Sequence, residues 1–300
     1  MAQRNDATRT EANHEQRMPN MKHFESDFQS RDGLSFYVQG WEPEQKPKAV
    51  IALIHGLGEH TGRYAHVGEA FNKAGYALVG FDLRGHGRSD GARGHFPSTD
   101  AVMQDIHEFF EFLRKRYPMD TSFFMYGHSL GGLLTLTFVL KERPDVKGVI
   151  VTAPGLRSAL QEQKFKLAMA KLLGTLAPAI TMPSGLDPKT LSHDPKVVEA
   201  YVNDPLVHDK TSMGFGKSAL SAIDFAFANA SKFSAPLLVM AGSDDRLTYP
   251  SGGQDFVKRV PGDATFKLWD GMFHEIHNEP AKAEVLNYEI KWMDDHLKMR

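Results

Sequence analysis

Three short stretches hold residue types that together could form a nucleophile, its base and the acid that orients the base. They are "GHSLG" at 127–131, "GSDD" at 242–245 and "FHEIH" at 273–277. The first fits G-x-S-x-G, which places a serine on a tight strand-to-helix turn with small residues on either side. Gly127 and Gly131 give that space, and the turn lifts the Ser129 hydroxyl clear of the backbone. A serine between two glycines can also simply cap a helix. The context favours the nucleophile, because a buried apolar run precedes the turn and a helical run follows it.

A serine hydroxyl does not attack at neutral pH without a base, so a histidine and its acid should follow. "LLVMAGSDDRLTYP" ends an apolar run and offers Asp244 and Asp245. Asp245 directly precedes the "RLTYP" turn and is taken as the acid. Asp244 is read as a turn former, a role aspartate fills well. His274 lies nearest the preceding strand and follows a loop glycine, so it is taken as the base. His277 is assigned to the surface or to a shell behind the base. A zinc site would need H-E-x-x-H, and "HEIH" has the wrong spacing. The other histidines show no ligand period, so no catalytic metal and no cofactor is expected.

"IHGLGEHTGRY" at 54–64 follows the first buried run. Its Gly56 and Gly58 let the backbone turn inward, where acyl transfer needs hydrogen-bond donors for an oxyanion. The candidates are the N–H groups of Leu57 and Leu130, the latter opening the helix after Ser129. A phosphate loop would need G-x-x-x-x-G-K-[ST], which is missing here, and Glu59 would repel a phosphate. Glu59 and Arg63, four residues apart, are expected to pair and hold the loop.

These side chains need a frame. "KAVIALIHG", "YALVGFD", "SFFMYG", "VKGVIVTAP" and "PLLVMAG" are apolar runs of strand length, as expected for strands buried on both faces. "LSFYVQGW" and "ATFKLWD" read as further strands. Helical patterns alternate with them. Val102, Met103, Ile106, Phe109, Phe110 and Leu113 share one helical face, as do Leu286, Ile290, Met293 and Leu297. The alternation predicts an α/β fold with a mostly parallel sheet flanked by helices.

The segment 156–233 breaks the pattern, with helical pieces and no convincing strand. It is too apolar for disorder and too long for a plain connection. It is expected to form a cap inserted into a core made of 24–155 and 234–300. Within it Phe165, Ala168, Met169, Leu172, Leu173 and Leu176 line one helical face. Phe165, Met169, Leu172 and Leu173 are the candidate acyl-binding residues.

Residues 1–23 are polar and are expected to be a disordered extension, with Met21 a possible second start. Lys and Arg number 35 and Asp and Glu 37, a net charge of −2, which does not point to nucleic acid, whose binding needs a concentrated basic surface. There is no cysteine, which excludes disulfides and thiolate chemistry and suits a reducing compartment. No run reaches the ~18 apolar residues of a membrane span. A cytoplasmic protein is expected, with at most peripheral membrane contact through the cap; its oligomeric state is open.

Taken in order, "HGLGEHTGRY", "FDLRGHGRSDG", "YGHSLGG", "YVNDPLVH", "AGSDDRL" and "DGMFHEIHNE" resemble the monoacylglycerol lipase and lysophospholipase branch of the α/β-hydrolase fold, from about Phe24 to the end. The resemblance implies a Ser129–His274–Asp245 triad, an oxyanion hole at Leu57 and Leu130, and a cap that admits acyl chains. It implies a serine esterase acting on fatty-acid esters, monoacylglycerols first. Lysophospholipids, short-chain esters, acyl transfer and a non-hydrolytic binding protein are the alternatives. Eukaryotic members often carry a cysteine in the loop after the acid, whereas this chain has Thr248. Thiol-directed regulation is therefore not implied.

Overall fold

The computed structural model describes residues 21–158 and 172–298. Its centre is one eight-stranded sheet. The strands are β1 (Lys22–Gln29), β2 (Ser35–Glu42), β3 (Val50–Ile54), β4 (Ala77–Phe81), β5 (Phe123–His128) and β6 (Gly148–Thr152), then β9 (Leu237–Gly242) and β10 (Ala264–Trp269). Their spatial order is β1-β2-β4-β3-β5-β6-β9-β10. β1 and β2 pair antiparallel with each other, as do β2 and β4, and the rest of the sheet is parallel. Every residue of β3, β4, β5, β6 and β9 is buried, which is why these strands read as unbroken apolar runs.

Alternating side chains feed two cores. On one face Met125, Val149 and Val239 pack with the buried face of α2 (Thr99–Arg116) and with α3 (Leu130–Glu142). All six residues of the predicted α2 face are buried. On the other face Phe124, Tyr126, Ile150 and Met240 meet α1 (Ala65–Lys73) and the final helix.

Two expectations need correction. The first strand starts at Lys22, inside the stretch 1–23 assigned to an extension. It is an edge strand of alternating half-buried and exposed residues, with few apolar side chains to mark it. The segment 156–233 does contain strands, β7 (Thr181–Pro183) and β8 (Lys210–Ser212), which pair antiparallel in a sheet of their own. At three residues each they are too short to show a period. The described part of this segment also holds a helical turn at 172–176 and the helices α4 (Pro195–Asn203) and α5 (Met213–Asn229). After β9 come α6 (Pro250–Val257) and then α7 (Lys282–Lys298).

The core of α7 holds an anomaly. Glu289 is fully buried and neither carboxyl oxygen makes a hydrogen bond among the described residues. Burial is the largest cause and pushes its pKa up to about 8. The native state therefore keeps a proton that the unfolded chain loses near pH ~4.3. This contribution to stability is complete below that pH and is lost as pH rises through about 8. Glu289→Gln, which does not titrate, should gain on the wild type by about 1.4 kcal/mol per pH unit inside this window. Melting curves at pH 5, 6.5 and 8 measure it, and a constant difference between the two proteins would refute the buried proton.

Candidate active site

β5 ends at His128 and α3 begins at Leu130, so Ser129 is the whole turn between them. Its backbone is at φ 54° and ψ −116°, a conformation that non-glycine residues rarely adopt. The turn holds because the neighbouring backbone closes in on it. Ser129 N–H donates to Thr152 O at 2.9 Å, and Ser129 O accepts from Gly155 N–H at 2.9 Å and Leu133 N–H at 3.1 Å. A Cβ at Gly131 would collide with the carbonyls of Ile54 and His55, so only glycine lets α3 start this close to β3.

The loop after β9 delivers Asp245 and the loop after β10 delivers His274. His274 Nε2 lies 2.9 Å from Ser129 Oγ, and His274 Nδ1 lies 2.8 Å from Asp245 Oδ2. Asp245 Oδ1 accepts from the backbone N–H groups of Leu247 at 2.8 Å and Thr248 at 3.0 Å. Asp244 is exposed, and among the described residues its side chain accepts only from the neighbouring Ser243 hydroxyl at 2.9 Å. Of the two aspartates, the structure brings Asp245 to the histidine.

Burial works against the charge of Asp245. The positive potential of His274 and the two backbone donors outweigh it, so the carboxyl stays below its usual range. Burial likewise works against an imidazolium at His274, but the Asp245 carboxylate lifts its pKa above the ordinary imidazole value. Two more rings crowd this base. His128 is centred 4.8 Å from His274, and His277 is 4.8 Å from His128. Burial, with neighbouring imidazoles and Arg63 adding to it, depresses His128 well below the usual value, and burial takes His277 to about 3. The three rings lie together, and His274, paired with Asp245, is the one of the three whose pKa is raised rather than lowered. The surface alternative for His277 is thus overturned. It is fully buried, stacked on Tyr64 with ring centroids 5.0 Å apart.

The "HGLGEH" loop passes directly over Ser129. A Cβ at Gly56 would stand 3.3 Å from Ser129 Cβ, and Leu57 is the next residue along this loop. Leu130 opens α3, and its N–H has no acceptor one turn back in the helix. Glu59 does hold the loop. Its carboxylate accepts from Gly56 N–H at 2.6 Å, from Tyr64 Oη at 2.8 Å and from Arg63 Nη1 at 2.8 Å. Arg63 reaches further than its spacing foretold. Its guanidinium also grips both oxygens of Glu275, at 2.6 and 2.7 Å. Burial opposes the Glu275 charge, yet Arg63 holds its carboxyl down to about 2. Glu275 is the residue after His274, so one guanidinium ties the loop over Ser129 to the histidine loop.

Sequence reasoning missed Glu275 and the part played by Thr248, which touches both Asp245 and His274. Asp-x-x-Thr at 245–248 was a usable signal for the second; nothing local marks the first. Of the candidate acyl-binding residues, Phe165 and Met169 lie outside the described residues. Leu172 is 53% exposed and Leu173 half-buried. Among the described residues no group of three or more histidine or carboxylate side chains is arranged to hold a metal ion.

Such an arrangement suits acyl transfer through a serine. The family described as serine aminopeptidase, S33, matches residues 45–281. The chain belongs to this family. Within it, the chain is 32% identical over 275 residues to the monoacylglycerol lipase of Mycolicibacterium smegmatis, covering 91% of this chain and 98% of that one. The crystal structure of Paleococcus ferrophilus monoacylglycerol lipase matches with a TM-score of 0.78 at 32% identity, covering 92% of this chain and all of that one. An uncharacterized abhydrolase domain-containing protein of Dictyostelium discoideum is 40% identical over 276 residues, which are 91% of this chain and 29% of that protein. The chain therefore spans less than a third of that relative. The chain has the α/β-hydrolase fold and is a monoacylglycerol lipase-like carboxylic ester hydrolase. No helix among the described residues is long and apolar enough to cross a membrane.

Proposed function

We propose that this member of the family hydrolyses fatty-acid esters of glycerol, monoacylglycerols first, through an acyl-enzyme on Ser129. The supporting observation is the unbroken line from Ser129 Oγ through His274 to Asp245, with both links under 3 Å. His274 takes the Ser129 proton as the hydroxyl oxygen attacks the ester carbonyl, and Asp245 stabilises the imidazolium. The N–H groups of Leu57 and Leu130 receive the oxyanion; one such donor is worth about 3 kcal/mol of transition-state stabilisation. His274 then hands the proton to the leaving alcohol. Water, activated by the same base, releases the fatty acid.

The segment 156–233 is the proposed cap, and its apolar face the acyl wall. Leu172, Leu176, Ile180 and Met182 are exposed by 53, 72, 56 and 49%, an apolar surface suited to a lipid aggregate at the cap. The experiment is kcat/KM for monoacylglycerols, lysophospholipids and p-nitrophenyl esters from C4 to C16, on wild type and Leu173→Asp. Monoacylglycerols should lead. The variant should lose more with each added methylene, since burying one is worth about 0.8 kcal/mol. Preference for lysophospholipid would move the head-group assignment, and equal loss at every length would leave this face a packing surface.

A further inference from the structure

Resting on the triad just proposed, we propose that the Thr248 hydroxyl is a fourth, positioning member: it divides its one proton between Asp245 and a strand end, and so sets how strongly Asp245 supports His274. Thr248 is buried in the turn three residues after the acid. Its Oγ1 stands 2.9 Å from Asp245 Oδ2, 3.0 Å from the carbonyl oxygen of Ala153 and 3.4 Å from His274 Nδ1. A hydroxyl has one proton to donate, and two acceptors compete for it here. His274 Nδ1–H donates to the same Oδ2 at 2.8 Å. Both oxygens of Asp245 are thus doubly approached: Oδ1 by two backbone N–H groups, Oδ2 by the imidazole and the threonine.

The geometry gives the hydroxyl two distinct states. Donating to Oδ2, it draws carboxylate charge away from His274 and fixes that oxygen in the plane where the imidazole needs it. Donating to Ala153 O, it leaves Oδ2 to His274 alone, with the full charge facing the ring. Ala153 follows β6 and has φ 44°, so its carbonyl is aimed by a strained backbone rather than by a strand ladder. Its own N–H donates to Met240 O at 2.7 Å, which anchors the residue to β9. Among the described residues Thr248 Oγ1 touches the titratable groups Asp245 and His274; His274 also feels the carboxylates of Glu275 and Glu59, and the His128 ring lies behind it.

A side chain that only fills space would leave the pH profile unchanged, so the profile is the test. On a soluble short-chain p-nitrophenyl ester, Thr248→Val removes the proton at near-constant volume. It should lower kcat about tenfold through lost orientation. It should also move the acid limb of kcat/KM up by about half a pH unit, because Asp245 then acts undivided on His274. Thr248→Ser should behave as wild type. Thr248→Cys, a weaker donor, should lie between threonine and valine and carries the test alone if the valine variant does not fold. A limb that stays in place in both the valine and cysteine variants overturns the proposal, as does a serine variant that shifts like valine. Failure of the triad itself looks different. In that case the wild type would show no acid limb lost on His274→Ala, whatever residue stands at 248.

Discussion

Ser129→Ala is expected to lower ester hydrolysis by about four orders of magnitude or more, with the melting temperature close to wild type. The loss is large because everything else at the turn serves the hydroxyl. Ser129 carries the unusual backbone, His274 Nε2 waits 2.9 Å from its oxygen, and the loop at Gly56 runs past it. The fold should survive, since the contacts that fix the turn are main-chain hydrogen bonds of Ser129, which alanine keeps. His274→Ala should cost as much, and the double variant little more than either, because the two act on one proton. Asp245→Asn should be severely impaired and Asp244→Asn nearly unaffected. The reverse result for the two aspartates would reassign the acid.

The second large effect is expected at a residue that touches neither the hydroxyl nor the base. Arg63 is flanked by Glu59 and Glu275, and all three side chains are at most 9% exposed. Arg63→Met leaves two buried carboxylates without their cation. Breaking such an arrangement costs about 3–5 kcal/mol, or about 10 °C in melting temperature for a chain of this size. Activity should fall further than stability explains. The guanidinium joins the Glu59 loop, which holds Gly56 N–H, to the residue following His274. Adding Glu275→Gln to Arg63→Met should recover part of the stability, because it removes one of the two uncompensated charges, and little of the activity, because the tie is still missing. A variant with wild-type melting and wild-type kcat would mean the cluster is a solvated ornament.

The elements that position Ser129 and Asp245 were readable because strands buried on both faces must be apolar throughout, as "VIALI" and "LLVMAG" are. β1 was hidden by its place at the sheet edge, where a strand need bury only part of one face. β7 and β8 are held by each other and by the segment around them, so nothing in three residues announces them. The site shows the same division. The serine turn and the acid carry their own local chemistry, small residues in one case and a turn of backbone donors in the other. Glu275 takes its role from Arg63, 212 residues away, and a contact of that range leaves no local pattern. Asp245 was chosen over Asp244 from its place before the "RLTYP" turn, and burial separates the two: the first is buried against His274, the second is exposed.

Ser129 is proposed as a nucleophile poised by His274. Its most direct test is reaction with a fluorophosphonate, followed by intact mass and peptide mapping. One adduct per chain is expected, located on Ser129 and formed far more slowly in His274→Ala. A folded, ester-hydrolysing protein that gains no adduct, or gains it on another residue, would contradict it.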